Sequence, residues 1–171
     1  SAGLTGLNSS SAEWGDYDND GDKDILFSGN STSGNVTKIY RNNAGLFSEI
    51  TTSLPGTSNG SVNWGDYDND GDLDILVSGN NSTKIFRNNG DNTFSEQTGI
   101  SLPGVSEVAA AWGDYDNDGD IDILLSGSNT TRVFRNNGDN TFTEQPGASL
   151  AGVNDGSVSW GDYDDDGDLD I

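Results

Sequence analysis

The sequence predicts an all-β fold, a β-propeller-type repeat array of four-stranded blades with about three and a half repeats of about 48 residues each. Three observations predict it. One phrase, Trp-Gly-Asp-Tyr-Asp-(Asn/Asp)-Asp-Gly-Asp-x-Asp-Ile, occurs four times, beginning at Trp14, Trp64, Trp112 and Trp160. The period is therefore 50, 48 and 48 residues. Between the copies lie short β-type runs, and no segment has the 3.6-residue periodicity of an amphipathic helix.

Each repeat begins with a short strand that leads into an Asp-rich loop. In the second copy, Asp occupies alternate positions from Asp66 to Asp74, and Gly71 follows the third Asp. Ca²⁺ takes about six to eight oxygen ligands, and carboxylates at positions 1, 3 and 5 of a tight loop can converge on one ion. Gly at position 6 permits the sharp turn because it tolerates positive φ. Position 7 then offers a backbone carbonyl, and the Asp at position 9 closes the cage.

The same five positions recur in all four loops. This predicts about one Ca²⁺ in each loop and up to four in the chain. The predicted ligands are Asp16, Asp18, Asp20, Asp22, Asp24, Asp66, Asp68, Asp70, Asp72, Asp74, Asp114, Asp116, Asp118, Asp120, Asp122, Asp162, Asp164, Asp166, Asp168 and Asp170.

Other interpretations of the loop are weaker. An EF-hand needs Glu at position 12, where this chain has Phe27, Val77 and Leu125. Mg²⁺ is disfavoured because it keeps several waters, and Zn²⁺ lacks its usual ligands because the chain has no His and no Cys. A single Asp/Gly cluster would be typical of a turn. Four copies in one register, each with carboxylates that repel one another, favour a cation site.

The formal net charge of −22 belongs mostly to these loops. They carry 21 of the 29 acidic residues, which leaves 8 acidic against 7 basic residues elsewhere. The sequence therefore predicts a ligand set on a nearly neutral surface. It offers no basic patch, so we expect no nucleic-acid partner. It also has no apolar run long enough to insert into a membrane.

Three further strands complete each repeat. In the second repeat an apolar run at 75–77 follows the loop, and a run that is apolar on both faces is typical of a buried strand. A Lys-aromatic strand occupies 84–89. Asn-Gly-Asp-Asn at 89–92 is a hairpin signal, and it leads to a Phe-x-Glu strand that begins at Phe94. Four-stranded sheets repeated radially are the blades of propellers.

The loop-and-strand phrase resembles the FG-GAP/VCBS-type repeat of integrin α-subunit propellers and of many secreted proteins. The matching residues run from Gly65 to Leu76, with three copies in step, and the similarity covers nearly the whole chain. The resemblance implies that each loop binds Ca²⁺ in the hairpin between the first two strands of a blade, through positions 1, 3, 5, 7 and 9. The Gly-Ala-Pro part of the family pattern is absent, and Trp precedes the Gly. The resemblance therefore does not extend to integrin-like ligand recognition.

The blades are predicted at 11–58, 59–106 and 107–154, with a partial blade at 155–171, all in one array over 1–171. Closed propellers have about four to eight blades. We therefore expect a segment of a longer chain or one protomer of an assembly. The open edges of a part-blade are pairing sites, which predicts further repeats or neighbouring copies as partners. Head-to-tail pairing that does not close would form a fibril.

The sequence favours a binding or structural module over an enzyme. It has no His and no Cys, and no Ser or Thr lies in a nucleophile elbow. An active site is normally singular, whereas the Asp set appears four times. One Trp in each repeat is typical of repeated core packing, with a carbohydrate-stacking platform as the alternative. We also expect the Tyr at loop position 2 to cover the blade edge, and Arg41, Arg87 and Arg135 to pair with loop carboxylates of the same or the next blade.

The leading functional hypothesis is a calcium-binding extracellular or cell-surface module for structure, adhesion or assembly. The alternative is a propeller that recognises glycans or proteins through its variable loops at 30–37, 80–83 and 128–131. Asn-x-Ser/Thr triplets add potential N-glycosylation sites, provided that the protein passes through a eukaryotic secretory pathway. These triplets begin at Asn8, Asn30, Asn35, Asn59, Asn80, Asn81 and Asn129.

Overall fold

A computed structural model of the chain describes residues 6–105, 108–127, 129–147, 150–153 and 156–171. The described residues form twelve β-strands and no helix. The strands are β1 (Asn8–Gly15), β2 (Asp24–Ser31), β3 (Gly34–Asn43), β4 (Leu46–Ile50), β5 (Ser61–Gly65), β6 (Asp74–Gly79), β7 (Ser82–Asn88), β8 (Phe94–Glu96), β9 (Ala109–Gly113), β10 (Asp122–Gly127), β11 (Thr130–Asn136) and β12 (Phe142–Glu144).

The strands form three antiparallel sheets of four consecutive strands each: β1 to β4, β5 to β8 and β9 to β12. The predicted all-β fold with four-stranded, blade-like sheets is therefore confirmed, and the three sheets do not close into a ring. In the fourth repeat, the described residues form an isolated bridge between Gly161 and Asp170. The predicted blade boundaries at 106/107 and 154/155 fall at residues that the structure does not describe.

The second strand of each sheet is buried on both faces, as its apolar run predicts. In β6, Ile75, Leu76 and Val77 are at most 4% exposed. Alternate residues of this strand face different neighbours, because successive side chains of a strand point to opposite faces. Ile75 and Val77 belong to the core shared with the first sheet, whereas Leu76 belongs to the core shared with the third. The protein therefore has small cores between successive blades.

Successive blades meet through the Trp-Gly-Asp-Tyr segment. The Tyr17 ring stacks on the Trp64 ring of the next blade, with centroids 5.8 Å apart and planes 5° from parallel. Gly15 lies against the same indole, since a Cβ atom at this position would be 2.6 Å from Trp64 Cδ1. The Trp of one blade thus occupies the space that the missing side chain of the preceding Gly leaves open. Tyr115 and Trp160 repeat the stacking at 5.9 Å and 8°.

The tryptophans differ in burial along the chain. Trp64 is 7% exposed, which agrees with the predicted core packing, but Trp14 is 60% exposed. For Trp14 the prediction is wrong, because no described residues supply the Gly and Tyr of a preceding blade. The tyrosines show the reverse trend: Tyr17 and Tyr67 are at most 2% exposed, whereas Tyr163 is 90% exposed. Burial of the repeated aromatic residues therefore depends on the neighbouring blade.

Candidate metal centres

The Asp loop joins the first and second strands of each blade and folds in the same way four times. In the second loop, Asn69 at position 4 has a φ of 56° and Gly71 at position 6 has a φ of 93°. Asn tolerates the left-handed region better than most residues, and Gly enters it without steric cost. The corresponding residues of the other loops have φ values within a few degrees of these, including Asp165 at 58°. Two left-handed residues therefore close each loop into a tight ring.

The first Asp of the loop organises the ring from inside. Asp66 Oδ1 accepts a hydrogen bond from Asp70 N at 3.0 Å, and Asp66 Oδ2 accepts one from Gly71 N at 2.9 Å. Asp70 Oδ1 in turn accepts a hydrogen bond from Asp72 N at 3.0 Å. Because these contacts span only two to five residues, the spacing of the aspartates is sufficient to specify them.

Three carboxylates converge in each loop. Each contributes one oxygen to a group in which all oxygens lie within 4.8 Å of one another. Positions 1 and 3 belong to the group in every loop; position 9 completes it in three loops and position 5 in one. The groups are Asp16 with Asp18 and Asp24; Asp66 with Asp68 and Asp70; Asp114 with Asp116 and Asp122; and Asp162 with Asp164 and Asp170.

The Asp at position 9 is buried in the three complete blades. Asp24, Asp74 and Asp122 are all 0% exposed. Asp74 Oδ1 accepts a hydrogen bond from Asn88 N at 2.8 Å, and Asp74 Oδ2 accepts one from Tyr67 N at 3.1 Å. Burial raises the pKa of Asp74 to about 7, although these two hydrogen bonds oppose the shift. The ionised carboxylate of Asp74 is therefore unfavourable unless a positive charge lies nearby.

In the first two loops, position 3 holds a buried carboxylate oxygen with no protein partner. The Asp68 side chain is 8% exposed, and its Oδ1 atom has no hydrogen-bond donor in the part of the chain that the structure describes. Desolvation raises the pKa of Asp68. Both oxygens of Asp18 likewise lack a hydrogen bond, although Arg41 lies close to Oδ2. A buried polar atom without a partner is normally satisfied by something, so this oxygen indicates a ligand inside the loop.

An arginine on the third strand of each blade contacts two of the loop carboxylates. Arg87 Nε lies 2.7 Å from Asp68 Oδ2, and Arg87 Nη2 lies 2.6 Å from Asp70 Oδ2. Arg41 and Arg135 make the same two contacts at 2.6–3.1 Å. The predicted pairing of these arginines with loop carboxylates is therefore confirmed, and it occurs within one blade.

The carboxylate at position 7 lies outside the groups and links neighbouring loops instead. Asn69 Nδ2 donates to Asp120 Oδ1 of the next loop at 2.7 Å and to Gly119 O at 3.3 Å. Asn19 reaches Asp72, and Asn117 reaches Asp168, in the same way. This link was not predicted, although Asn at position 4 of the first three loops was visible in the sequence. The backbone carbonyl of position 7 remains the predicted ligand.

A second residue that the sequence did not indicate is the buried Asn that ends the third strand. Asn88 is 2% exposed, and its Nδ2 donates to Tyr17 O of the preceding blade at 2.8 Å and to Leu73 O at 3.2 Å. Asn136 binds Tyr67 O in the same manner at 2.8 Å. These amides hold successive loops in place. The only feature of the sequence that could have indicated this role is the repeated Arg-Asn-Asn.

The donors of these centres fit a calcium ion. Every available ligand is oxygen, and most of these oxygens belong to carboxylates, as a hard cation prefers. The nitrogen and sulfur ligands of Zn²⁺ sites are absent because the sequence has no His or Cys. The unpartnered Asp68 Oδ1 in the loop interior is the observation that distinguishes these loops from ordinary Asp-rich turns. Positions 1, 3, 5 and 9, with the position 7 carbonyl, would hold the ion.

The asparagines of the predicted glycosylation triplets are all exposed. Asn80, Asn81 and Asn129 lie in turns between the second and third strands, at the end of each sheet opposite the Asp loops, and Asn30 lies at the same end within β2. Modification at these positions stays a prediction.

Comparison with known proteins supports the repeat organisation. A sequence model described as FG-GAP-like repeat matches the chain three times, at residues 16–77, 66–125 and 114–171. The curated proteins give no match. One similar solved structure, from work on specific recognition of non-reducing terminal N-acetylglucosamine by an Agrocybe aegerita lectin, has a TM-score of 0.52 and 23% sequence identity. The match covers 80% of this chain and 38% of that one, so the chain spans less than half of its length. At this identity the likeness concerns the fold alone. The described residues include no helix suited to cross a membrane.

Proposed function

The chain belongs to the FG-GAP-like repeat family, and from this premise we propose that it is a calcium-binding extracellular module for structure, adhesion or assembly. Each Asp loop holds one Ca²⁺, up to four in the chain. The ion neutralises the loop and ties the first strand of the blade to the second. The module acts by binding and by holding shape, without catalysis.

The observation that carries this proposal is the buried, unpartnered oxygen of Asp68 among converging carboxylates. A buried polar atom without a partner destabilises the fold by about 1–3 kcal/mol, and more when it is charged. A cation removes this penalty and also lowers the repulsion between the carboxylates of the loop. The same reasoning applies to Asp18 in the first loop.

Calcium would therefore stabilise the folded state by an amount that increases with the logarithm of its concentration once the sites fill. An ion that binds only the folded state stabilises it by RT ln(1 + [Ca²⁺]/Kd), about 2.7 kcal/mol at a hundredfold excess over Kd. Extracellular fluids supply Ca²⁺ more abundantly than the cytosol does. The absence of Cys means that no disulfide can provide the stability, so the metal assumes this role.

A thermal melt tests the proposal. We expect Tm to rise with added Ca²⁺ and to fall in excess EDTA, and isothermal titration to give up to four sites. Asp68→Asn should remove one site while the remaining sites still titrate. An equal Tm in EDTA and in excess Ca²⁺ would overturn the proposal, and an equal response to Mg²⁺ would overturn the choice of metal.

For the assembly role, we infer head-to-tail association with a second copy of the chain. Tyr17 of one blade stacks on Trp64 of the next, and the two exposed members of this series are Trp14 and Tyr163. Trp14 already has Phe47 beside it at 6.1 Å, as Trp64 has Phe94 at 6.2 Å. Sedimentation velocity should show larger species that Trp14→Ala and Tyr163→Ala both disperse. A wild-type chain that stays monomeric at high concentration would exclude this association.

A second candidate function is glycan recognition. Its support is the likeness in fold to the lectin structure and a polar cavity of about 160 Å³ between the first two blades. This cavity is lined by Tyr17, Asp18, Arg41, Asp72, Asn88, Gly90 and Asn92. Binding on a glycan array, lost on Asn92→Ala, would support this function. An array without any signal in the presence of Ca²⁺ would contradict it.

A further inference from the structure

The arginines that contact the Asp loops occupy a position where they compete with the proposed ion. In the second blade, Arg87 approaches Asp68 Oδ2 with Nε and Asp70 Oδ2 with Nη2, at 2.7 and 2.6 Å. One guanidinium therefore spans the carboxylates of positions 3 and 5. We call Arg41, Arg87 and Arg135 the arginine clamp.

Arg87 supplies positive charge to the second loop, which has no basic residue of its own. The second loop carries five aspartates within nine residues, and the described part of the chain places no other basic side chain in an ion pair with them. The positive charge offsets part of the repulsion between Asp68 and Asp70. The guanidinium thus partly neutralises the loop carboxylates, as the proposed calcium ion would.

We propose that the arginine clamp is a built-in counter-ion that stabilises the calcium-free loop and weakens its affinity for calcium. This inference rests on the proposed function, because it concerns three of the same four loops. It assigns the clamp a positioning role beside the metal ligands. Each complete blade would then keep its loop folded at low Ca²⁺ and release the ion more readily.

A thermodynamic cycle requires that the arginine weakens calcium binding. The arginine stabilises the loop by attraction to carboxylates that are free in the absence of calcium. When Ca²⁺ binds, the same carboxylates are neutralised, and a unit positive charge lies close to a divalent one. The arginine therefore stabilises the calcium-free state more than the calcium-bound state. Since coupling between two bound groups is reciprocal, the arginine must weaken calcium binding to the same degree that calcium weakens the arginine contacts.

The solvent exposure of Arg87 determines how strongly it weakens calcium binding. The side chain of Arg87 is 42% exposed, but its Nε atom is buried against Asp68, so the water-like limit of Coulomb's law gives a lower bound for the effect. One unit charge beside a divalent ion then changes the binding constant by about tenfold. Loss of loop order in the variant acts in the opposite direction, but Asp66 holds the loop by two internal hydrogen bonds that do not involve Arg87.

The test compares Arg87→Ala with a matched control on the same strand. Lys84 pairs with Glu96 at 2.8 Å, is 39% exposed and lies away from the Asp loop. Thermal melts in excess EDTA and in saturating Ca²⁺ are recorded for the wild type, Arg87→Ala and Lys84→Ala, and calcium affinity is measured by isothermal titration.

We expect Arg87→Ala to lower Tm in EDTA more than in Ca²⁺, so that the calcium-induced rise in Tm exceeds that of the wild type. One site should bind about tenfold more tightly. Lys84→Ala should shift Tm equally in both buffers. If Arg87→Ala is unfolded in EDTA, Arg87→Lys takes its place, because Lys keeps the charge without spanning both carboxylates. The calcium-induced rise in Tm of Arg87→Lys should then exceed that of the wild type.

The possible failures can be told apart. A calcium-induced rise in Tm that is equal or smaller in Arg87→Ala, or a site that binds more weakly, overturns the clamp and leaves the proposed function intact. A wild-type protein whose Tm does not respond to Ca²⁺ overturns the proposed function itself.

Discussion

The second and fourth Asp loops have nearly the same sequence and the same internal hydrogen bonds. Asp66 accepts hydrogen bonds from Asp70 N and Gly71 N, and Asp162 accepts the equivalent bonds from Asp166 N and Gly167 N at 3.1 and 3.0 Å. The position 9 carboxylate binds the position 2 amide in both loops. The conformation of the loop is therefore encoded within the loop.

The surroundings of these two loops are very different. Tyr67 is 2% exposed and Tyr163 is 90% exposed. Asp74 is buried and has an elevated pKa, whereas Asp170 is exposed. Arg87 contacts the second loop, while the described residues place no arginine against the fourth. The comparison separates what the loop specifies for itself from what the third strand and the next blade add to it.

The largest difference should appear when the position 2 tyrosine is truncated. Tyr67→Ala removes a buried ring that contacts Phe142, and large-to-small changes of buried aromatic residues reduce the free energy of unfolding by about 3–5 kcal/mol. In a dilute sample in which the chain is monomeric, Tyr163→Ala should change it by no more than about 0.5 kcal/mol, because exposed side chains contribute little. Urea unfolding in excess Ca²⁺ measures both. Equal losses in the two variants would mean that the exposed tyrosine is covered in solution.

A smaller difference is expected for the glycine that precedes the loop. A Cβ atom on Gly65 would lie 2.7 Å from Trp112 Cδ1 and from Ile121 Cδ1. Gly65→Ala should therefore destabilise the fold by about 1–3 kcal/mol through overpacking. Gly161, where no atom lies within 4 Å of the added Cβ, is the matched control, and Gly161→Ala should be nearly neutral by the same urea measurement. A neutral Gly65→Ala would refute the close packing between blades.

The smallest difference concerns the link between loops. Asn69→Asp introduces the residue that the fourth loop carries at this position, Asp165, so the left-handed φ is retained. It removes the donor to Asp120 and places two like charges together. We expect a loss of about 0.5–1.5 kcal/mol that increases at low salt. Adding Asp120→Asn should restore most of the stability. If Asn69→Asp has the same free energy of unfolding as the wild type, the hydrogen bond between the loops does not contribute to stability.

Much of the fold was predictable because it repeats. Alternating short strands, the hairpin signal at 89–92 and the apolar runs recur with one period, and each is a local pattern. The convergence of positions 1 and 3 was also predictable, because the spacing of the aspartates and Gly71 dictates the turn. The role of Asn69 in the next loop was not, since its acceptor lies about 50 residues away in sequence.

The burial of individual aromatic residues could not be predicted from the sequence either. Trp14 and Trp64 are followed by the same residues in the chain, yet one is 60% exposed and the other 7%. The difference arises because Trp64 packs on Gly15 and Tyr17 of the preceding blade. A repeat therefore specifies which surface it offers, and its neighbour decides whether that surface is covered.

The sequence by itself determined the period, the β-type strands, the ring-shaped loop and the all-oxygen character of its ligands, because each depends on residues only a few positions apart. The tertiary structure alone decided that Asp74 is buried, that Asp68 Oδ1 lacks a partner and that Arg87 lies against the loop. These properties depend on contacts between strands and between blades. Burial strengthens electrostatic interactions by excluding water, so the second and fourth loops, nearly identical in sequence, become chemically different sites.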